Sequence, residues 1–478
     1  MRSIRRPAVT LSLVLVLVMV ASLVASAQST SKSLSTNFTL VNLATGSNLV
    51  NIQYYKQDGT QWRPSESETM PSQGSQLIRR QYDDSQLTSG SGSVVVGGSG
   101  PMGAVVQIQT RSGTATRAAY SGVSSGAAKA NVPYVARKLV SASGEVNSQM
   151  IIQNTGTTAT TAEVEMISAA TGASVYKKTG ISIPAGASFT YDLNTETNVP
   201  AGFFGSAVVT AGSGGQVAVV SNLFSGSDTL QTYNAFTSTS QEWLAPLFTS
   251  RLSNSLSTPI AVQNLSGVQI PINGISVSCV KDPSSPGSNF SMQNKAAVGN
   301  TATYFFNPVT DNTIPGGWFG ACRITTTGYD TVAFVQMRVV SGAQAGAYEA
   351  IKGDGTKTKV VVPLYAKRLG NGFASVVTIQ NLSKTSAANV TLKYTGASGL
   401  PANCTATINA TIPASGSLQQ NHRIESGAQS VPQIGNGCYG TIVVESTNSA
   451  PIDGIVQLTD ISGLAGDTFQ VHNAFAID

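Results

Sequence analysis

Histidine is the side chain that most often moves protons near neutral pH, and the sequence contains two, His422 and His472. A Ser–His–Asp arrangement would have to use one of them. His472 takes the place in QVHNAF that Tyr233 holds in the related QTYNAF, which indicates a residue of a repeated strand. No nucleophile, phosphate-binding, zinc-protease or dinucleotide-binding motif accompanies either histidine. We therefore expect no catalytic residues and no enzyme activity.

Carboxylates offer a second kind of chemistry, either glycoside hydrolysis or calcium binding. Glu66 and Glu68 lie two positions apart, which favours one solvated face of a strand over a catalytic pair. Asp282 and Asp354 are isolated, whereas calcium loops cluster several oxygen ligands. We therefore expect no metal and no cofactor.

The cysteines number four and fall in the last part of the chain. Cys279 and Cys322 lie in one sequence repeat, and Cys404 and Cys438 lie in the next. An even number divided in this way predicts two disulfides within the repeats in an oxidising compartment. A metal site is the weaker alternative, because no CxxC pair occurs.

Aromatic rings at the surface could stack on sugars and form a glycan-binding platform. Tyr54 and Tyr55 with Trp62 are the best candidates, and Trp318 in GGWF is another. The alternative for Trp318 is packing in the core or between modules, because an aromatic recurs at this place in the related GFF.

The first 27 residues are typical of an export signal. Three arginines precede the apolar run 11–23, and Ala25-Ser26-Ala27 fits a cleavage site, so we expect the mature chain to begin at Gln28. A retained membrane anchor is the alternative, but the run is short for a span. We expect an extracellular or cell-surface protein with no membrane span after cleavage. The net charge of +5 falls to about +2 once the three arginines of the signal are removed, which is too small to indicate a nucleic-acid partner.

Three short motifs recur in the same order about 115 residues apart, which indicates internal repetition. The first is an opening strand with a proline, and it reads VPYVARKL, APLFTSRL and VPLYAKRL. The second ends in Gln-Asn, as MIIQN, IAVQN and VTIQN, and its asparagine is typical of a turn. The third places a glycine before an apolar run, as GFFGSAVV, GWFGACRI and GCYGTIVV.

Each repeat contains seven or eight short stretches with strand character, separated by turn residues. This pattern predicts an all-β chain of four antiparallel β-sandwich modules, with boundaries at 28–130, 131–240, 241–356 and 357–478. A propeller is the rival architecture, but its blades need only about 45 residues each. Modules joined end to end would form an elongated array on the order of 130–160 Å long.

In this architecture and spacing the chain resembles the tandem immunoglobulin-like or fibronectin-like modules of secreted bacterial surface proteins. The resemblance covers the chain after residue 27. It implies a non-catalytic structural or adhesive role, as a stalk, a surface layer or a filament component. The alternative is a secreted protein that binds glycan or another matrix through exposed loops or aromatic residues.

The repeats are uneven at the beginning of the chain. The opening-strand motif precedes the second, third and fourth repeats but is not found before the first. The opening strand of the first body would have to lie within the export signal. After cleavage one terminal module would then expose a sheet edge, which invites a strand from another chain. Other surface proteins or copies of the same chain are the partners that we expect. A smaller terminal module, or an edge filled by residues 28–35, is the alternative.

Overall fold

The structure is a computed structural model that describes residues 14–18, 34–87, 89–111, 113–141, 144–226, 228–339 and 344–477. In these residues the regular secondary structure is almost entirely β-strand, with two single-turn 3₁₀ helices at Gln81–Asp83 and Ala402–Cys404. None of the described helices is long and apolar enough to cross a membrane.

The strands fall into four consecutive groups, which we call units 1 to 4. Unit 1 contains β1 Val14–Val18, β2 Leu34–Asn42, β3 Asn48–Lys56, β4 Gln61–Met70, β5 Gln76–Arg80, β6 Gly92–Gly98, β7 Met102–Thr110 and β8 Ala115–Ser121. Unit 2 contains β9 Lys129–Arg137, β10 Leu139–Ser141, β11 Gly144–Asn154, β12 Thr160–Ser168, β13 Ser174–Ile183, β14 Ser188–Asp192, β15 Phe203–Ala211, β16 Val217–Ser225 and β17 Thr229–Asn234.

The last two groups continue the pattern. Unit 3 contains β18 Glu242–Ser250, β19 Leu256–Ser257, β20 Ile260–Asn264, β21 Ser276–Lys281, β22 Phe290–Gln293, β23 Thr303–Phe306, β24 Trp318–Thr325, β25 Thr331–Val339, β26 Gln344–Glu349 and β27 Ile351–Lys352. Unit 4 contains β28 Lys359–Lys367, β29 Phe373–Asn381, β30 Ala388–Gly396, β31 Ala406–Ile412, β32 Ser417–Asn421, β33 Cys438–Ser446, β34 Ile452–Asp460, β35 Gly466–Asp467, β36 Gln470–Asn473 and β37 Phe475–Ile477.

Each unit consists of two antiparallel sheets, and the strand order is the same in all four units. The front sheets run β4-β3-β6-β1, β13-β12-β15-β9, β22-β21-β24-β18 and β31-β30-β33-β28. The back sheets run β5-β2-β7-β8, β14-β11-β16-β17, β23-β20-β25-β26 and β32-β29-β34-β36. Short β27 and β37 extend two of the front sheets beyond their opening strands. The predicted all-β architecture of packed sheets is therefore confirmed.

Alternation of burial along the strands places one face of each sheet in a core. Along β3, Val50, Ile52 and Tyr54 are buried while Leu49 and Asn51 are exposed, the period of two expected for a strand with one wet face. The opening strands behave differently, because β9 is buried along its whole length after Lys129. Continuous burial of this kind means that both faces of the sheet are covered.

The second cover is a neighbouring unit. The back sheet of unit 3 lies on the front sheet of unit 2, where Thr303 Oγ1 donates to Pro133 O at 3.2 Å. In the same way, unit 2 lies on unit 1 through Ser93 Oγ and Gly186 O at 2.6 Å. Unit 4 lies on unit 3, where Arg323 Nη2 donates to Leu382 O at 2.7 Å. We call these three contacts and the one described next the seams.

The fourth seam closes the molecule into a ring. Val41 on the back sheet of unit 1 packs against Val361 and Phe475 of unit 4, and Gln76 donates to Pro363 O. A two-residue parallel pairing also joins β35 of unit 4 to β8 of unit 1. The predicted elongated array is therefore wrong. The units do not stand end to end, because each front sheet carries apolar surface that the back sheet of a neighbour covers.

The opening strand of unit 1 is β1, which pairs antiparallel with β6 with Val16 opposite Val96. It occupies the place that β9, β18 and β28 occupy in the other units. It also lies inside the apolar run of the predicted export signal, although further upstream than the place 18–21 residues before Asn42 that the spacing of the repeats predicts.

Candidate functional site

The centre of the ring is formed by the last back-sheet strand of every unit, namely β8, β17, β26 and β36. Each strand ends on a polar residue that follows a buried ring. The polar residues are Ser121, Asn234, Glu349 and Asn473, and the preceding rings are Tyr120, Tyr233, Tyr348 and His472. The repetition of the units therefore brings four equivalent polar positions together.

These four residues form a closed hydrogen-bond circuit, which we call the central circuit. Asn234 Nδ2 donates to Ser121 O at 2.8 Å, and Ser121 Oγ donates to Asn473 O at 2.9 Å. Asn473 Nδ2 donates to Glu349 O at 2.9 Å, and the backbone N–H of Asn234 donates to the Glu349 carboxylate. Each bond joins two neighbouring units, so the circuit links all four.

The carboxyl of Glu349 is the ionisable group of the central circuit. Its removal from water raises its pKa to about 7, and the hydrogen bond from Asn234 only partly offsets this. Tyr233 lies near it, and burial raises the pKa of that phenol as well. At neutral pH the charge of this carboxyl is therefore poised to change.

A second carboxyl, Asp467, lies where three units meet. It is fully buried, and it accepts from Leu230 N of unit 2 at 3.1 Å and from Ala345 N of unit 3 at 3.3 Å. Phe469 N of its own unit is a third donor, at 3.1 Å. Desolvation raises the pKa of Asp467 well above its usual range despite these three donors.

The seam between units 2 and 3 is the most aromatic. Tyr134 of unit 2 lies 5.0 Å from Phe204, 6.0 Å from Phe305 and 5.9 Å from Phe334, measured between ring centroids. Phe305 and Phe334 belong to unit 3, so the rings form one cluster across the seam. Aromatic pairs at these separations stabilise a contact beyond the area that they bury.

The predicted platform of exposed aromatic residues is wrong. Tyr54 is 2% exposed, Trp62 is 8% exposed and Trp318 is 0% exposed, because the cores of units 1 and 3 enclose them. Tyr55 is half-buried and its ring lies against the position of Gly186 at the seam with unit 2. The alternative given for Trp318 was packing in a core or between units. The structure shows such packing for all four aromatic residues.

The two histidines are both in cores. His422 lies between Ser375 Oγ, at 3.0 Å from Nδ1, and the hydroxyl of Tyr394, at 3.2 Å from Nε2. Burial lowers the pKa of His422 to about 3 and that of His472 to about 4, so both rings are neutral at pH 7.

The cysteines form the two predicted pairs, Cys279–Cys322 and Cys404–Cys438. The first joins adjacent strands β21 and β24 at directly opposed positions of one front sheet. The second joins β33 to the segment before β31. Both reinforce single units and neither crosses a seam.

The carboxylates of unit 1 lie beside a surface cleft of about 410 Å³. Arg79 binds Glu66 at 3.0 Å and Glu68 at 3.1 Å, so one guanidinium bridges the acidic pair. Arg79 and Arg80 line the cleft together with Asp83 of the following helix and Asp84 just after it. This cleft can receive a small polar ligand, although Glu66 and Glu68 do not face one another across it as a catalytic pair.

Sequence reasoning missed the central circuit and Asp467. A signal for the circuit was present, since AYS, TYN, AYE and VHN stand at the same place in the four repeats. The sequence comparison of Tyr233 with His472 found this strand in two repeats and not the polar position, because the residue after the ring changes type from unit to unit. Asp467 had no signal of this kind, because it belongs to a loop strand of unit 4 alone.

No family model matches the sequence, and no curated protein matches it. Among solved structures, the chain is similar to red sea bream transglutaminase with a TM-score of 0.11 and 10% identity, over 46% of this chain and 30% of that chain. It is also similar to a tetra-tandem repeat from the extending region of a large adhesion protein, with a TM-score of 0.11 and 12% identity. That match covers 92% of this chain and 95% of the other. TM-scores this low carry no argument about fold or function.

Proposed function

We propose that this chain is an exported, non-catalytic structural or adhesive surface protein made of four immunoglobulin-like β-sandwich modules, at 28–130, 131–240, 241–356 and 357–478. The observation that carries the proposal is that the buried ionisable side chains make contacts between units or lie inside cores. Glu349, Asp467 and Arg323 bind groups of neighbouring units, and both histidines are neutral and enclosed. These groups hold a scaffold together.

Export is supported by the disulfides. Bonds such as Cys279–Cys322 and Cys404–Cys438 persist in oxidising compartments outside the cytoplasm. Together with the signal-like segment 1–27, they favour the cell surface or the external medium. Other surface proteins or further copies of the chain are the proposed partners.

The experiment combines localisation with microscopy. Immunogold labelling of whole cells should place the protein on the surface, and the intact mass of the exported form should correspond to a chain that begins at Gln28. Electron microscopy of concentrated protein should show lattices or filaments, or attachment to cell envelopes. A protein retained inside cells with residues 1–27, or one that neither assembles nor adheres, contradicts the proposal.

A second function, binding of a glycan or matrix, is favoured by the cleft of unit 1. Guanidinium groups of Arg79 and Arg80 beside Asp83 suit the hydroxyl groups of a sugar. Glycan-array binding that is lost in Arg80→Ala and kept in Arg368→Ala, a change in unit 4, would establish this function. Equal binding by the two variants would place the glycan elsewhere.

A further inference from the structure

The pairing of β1 with β6 has a consequence for the exported protein. In units 2, 3 and 4 the opening strand follows the preceding unit directly and remains in the chain whatever happens at its beginning. In unit 1 the opening strand is Val14–Val18, which lies within residues 1–27. Cleavage after Ala27 therefore removes one strand from the front sheet of unit 1.

Loss of that strand uncovers an apolar edge. Val94 and Val96 of β6 are 1% and 0% exposed and belong to the same core as Phe38 and Ile52. Without a neighbour, the outer backbone N–H and C=O groups of β6 are unpaired. An unpaired edge beside apolar side chains is a template for strand addition.

The chain that remains after Ala27 is too short to refill the place. β2 begins at Leu34 and belongs to the back sheet, so any residue between Gln28 and β2 that paired with β6 would need a crossing to the front sheet. In unit 4 the corresponding crossing, between β28 and β29, uses residues 368–372. Six residues extend at most about 20 Å, and packed sheets stand about 10 Å apart, so few residues remain to pair with β6.

We propose that the exported protein accepts at β6 an apolar β-strand donated by a separate polypeptide. The inference rests on the export proposed above and names the kind of partner that the surface protein takes. The chemistry of the donor follows from the other opening strands. Val360, Val361 and Val362 of β28 are all 0% exposed, because one face meets the core and the other meets a seam. A donor therefore carries at least about five uncharged, largely apolar residues and lies antiparallel to β6.

The first test uses wild-type exported protein and a synthetic peptide with the sequence of residues 12–20, flanked by lysines for solubility. The peptide should raise the melting temperature of the protein, because it binds the folded form. A peptide with Val16→Asp is the matched control and should leave the melting temperature unchanged. Stabilisation by both peptides, or by neither, overturns the inference.

The second test measures register. Val16 lies opposite Val96 and Leu17 lies opposite Val95. A Val16→Cys peptide should form a disulfide with exported Val96→Cys, and a Leu17→Cys peptide should form one with Val95→Cys. The two mismatched combinations should react at least about tenfold more slowly, because a slip of one residue moves side chains to the other face. Equal reaction in all four combinations overturns the inference.

The two proposals fail in different ways. Protein that reaches the surface and begins at Gln28 but ignores the peptide refutes strand donation and leaves the surface role standing. Protein that stays inside cells refutes the surface role. An exported form that keeps Val14–Val18 refutes strand donation, because β6 then already has its neighbour.

Discussion

A buried asparagine ends β2, β11, β20 and β29, one strand in every unit, and closes the loop that follows. Asn381 is fully buried, and its Nδ2 donates to Ser386 O at 2.8 Å and to Ile412 O and Pro413 O at 3.1 Å. Its Oδ1 accepts from Ser383 N at 2.9 Å. Asn42, Asn154 and Asn264 make the corresponding bonds in the other units. The turn role predicted for this asparagine is confirmed.

Asn381→Ala should lower the free energy of unfolding by about 2–4 kcal/mol, because buried carbonyls lose their donor. Urea unfolding followed by far-UV circular dichroism measures the change. Asn409→Ala in the same unit is the control, since Asn409 is exposed and its Oδ1 accepts a hydrogen bond from the Thr391 hydroxyl at 2.9 Å. Its effect should stay below about 0.5 kcal/mol. Equal losses would show that the turn bonds contribute nothing.

The carboxyl of Glu349 gives the ring a dependence on pH. Its pKa in the folded protein is about 7, above the ordinary 4.5, so the folded state binds the proton more tightly than the unfolded state. The contribution of Glu349 to the free energy of unfolding is fully present below pH 4.5 and is lost as pH rises through 7.

Glu349→Gln should therefore stabilise the protein by about 1–3 kcal/mol at pH 8 and have almost no effect at pH 4.5. Melting temperatures of variant and wild type at both pH values test this. The melting temperature of wild type must be subtracted from that of the variant at each pH. Burial of neutral His422 and His472 lowers the stability of both proteins as pH falls below 6.5, which is the opposite direction. Glu425→Gln, on the surface, is the control. A pH-independent effect of Glu349→Gln would contradict the assignment.

At the scale of elements, the repeated glycine of the third motif is required by a close approach of two strands. A Cβ at Gly320 would lie 2.2 Å from Val280 O on the neighbouring strand, and one at Gly205 would lie 1.9 Å from Ile167 O. Only glycine permits this spacing, so the motif marks the place where the two central strands of each front sheet meet.

Gly320→Ala should lower the free energy of unfolding by about 1–3 kcal/mol, because β21 and β24 must move apart. Gly370→Ala is the matched control, since nothing lies within 4 Å of an added Cβ there. Thermal unfolding of the two variants tests the difference. An unchanged melting temperature for Gly320→Ala would show that the front sheet can yield at this point.

The elements were far more predictable than their arrangement. Alternation such as that of β3 follows directly from residue type, and the three recurrent motifs predict equivalent strands. The prolines of the opening strands also correspond to bulges, since the pairing of β28 with β33 shifts between Val362 and Tyr365. The seams were not predictable, because Val41 and Val361 are ordinary apolar residues that a core would equally use.

At the scale of the whole molecule, closure of the ring predicts compact dimensions. A compact chain of this length has a radius of gyration of about 22 Å, whereas a rod of 130–160 Å would give roughly 40 Å. Small-angle X-ray scattering of the monomeric protein should give the smaller value. The larger value would contradict the fourth seam.

Val361→Asp should open that seam, because it places an unpaired charge against Val41 and Phe475. The radius of gyration should increase while the far-UV circular dichroism stays unchanged. Val140→Asp is the control, since Val140 is 85% exposed. An increased radius of gyration in both variants would mean that the added charge disturbs the fold of single units and does not specifically open the seam.

The fourth seam joins parts of the chain that are far apart in sequence, as Gln107 and Gln470 show with a 2.8 Å contact across 363 positions. The first three seams nevertheless hold its two halves close to one another. Their effective concentration is then on the order of millimolar or higher, so even a contact of modest affinity stays closed. The fourth seam can therefore open and close again while the other three seams keep units 4 and 1 close together.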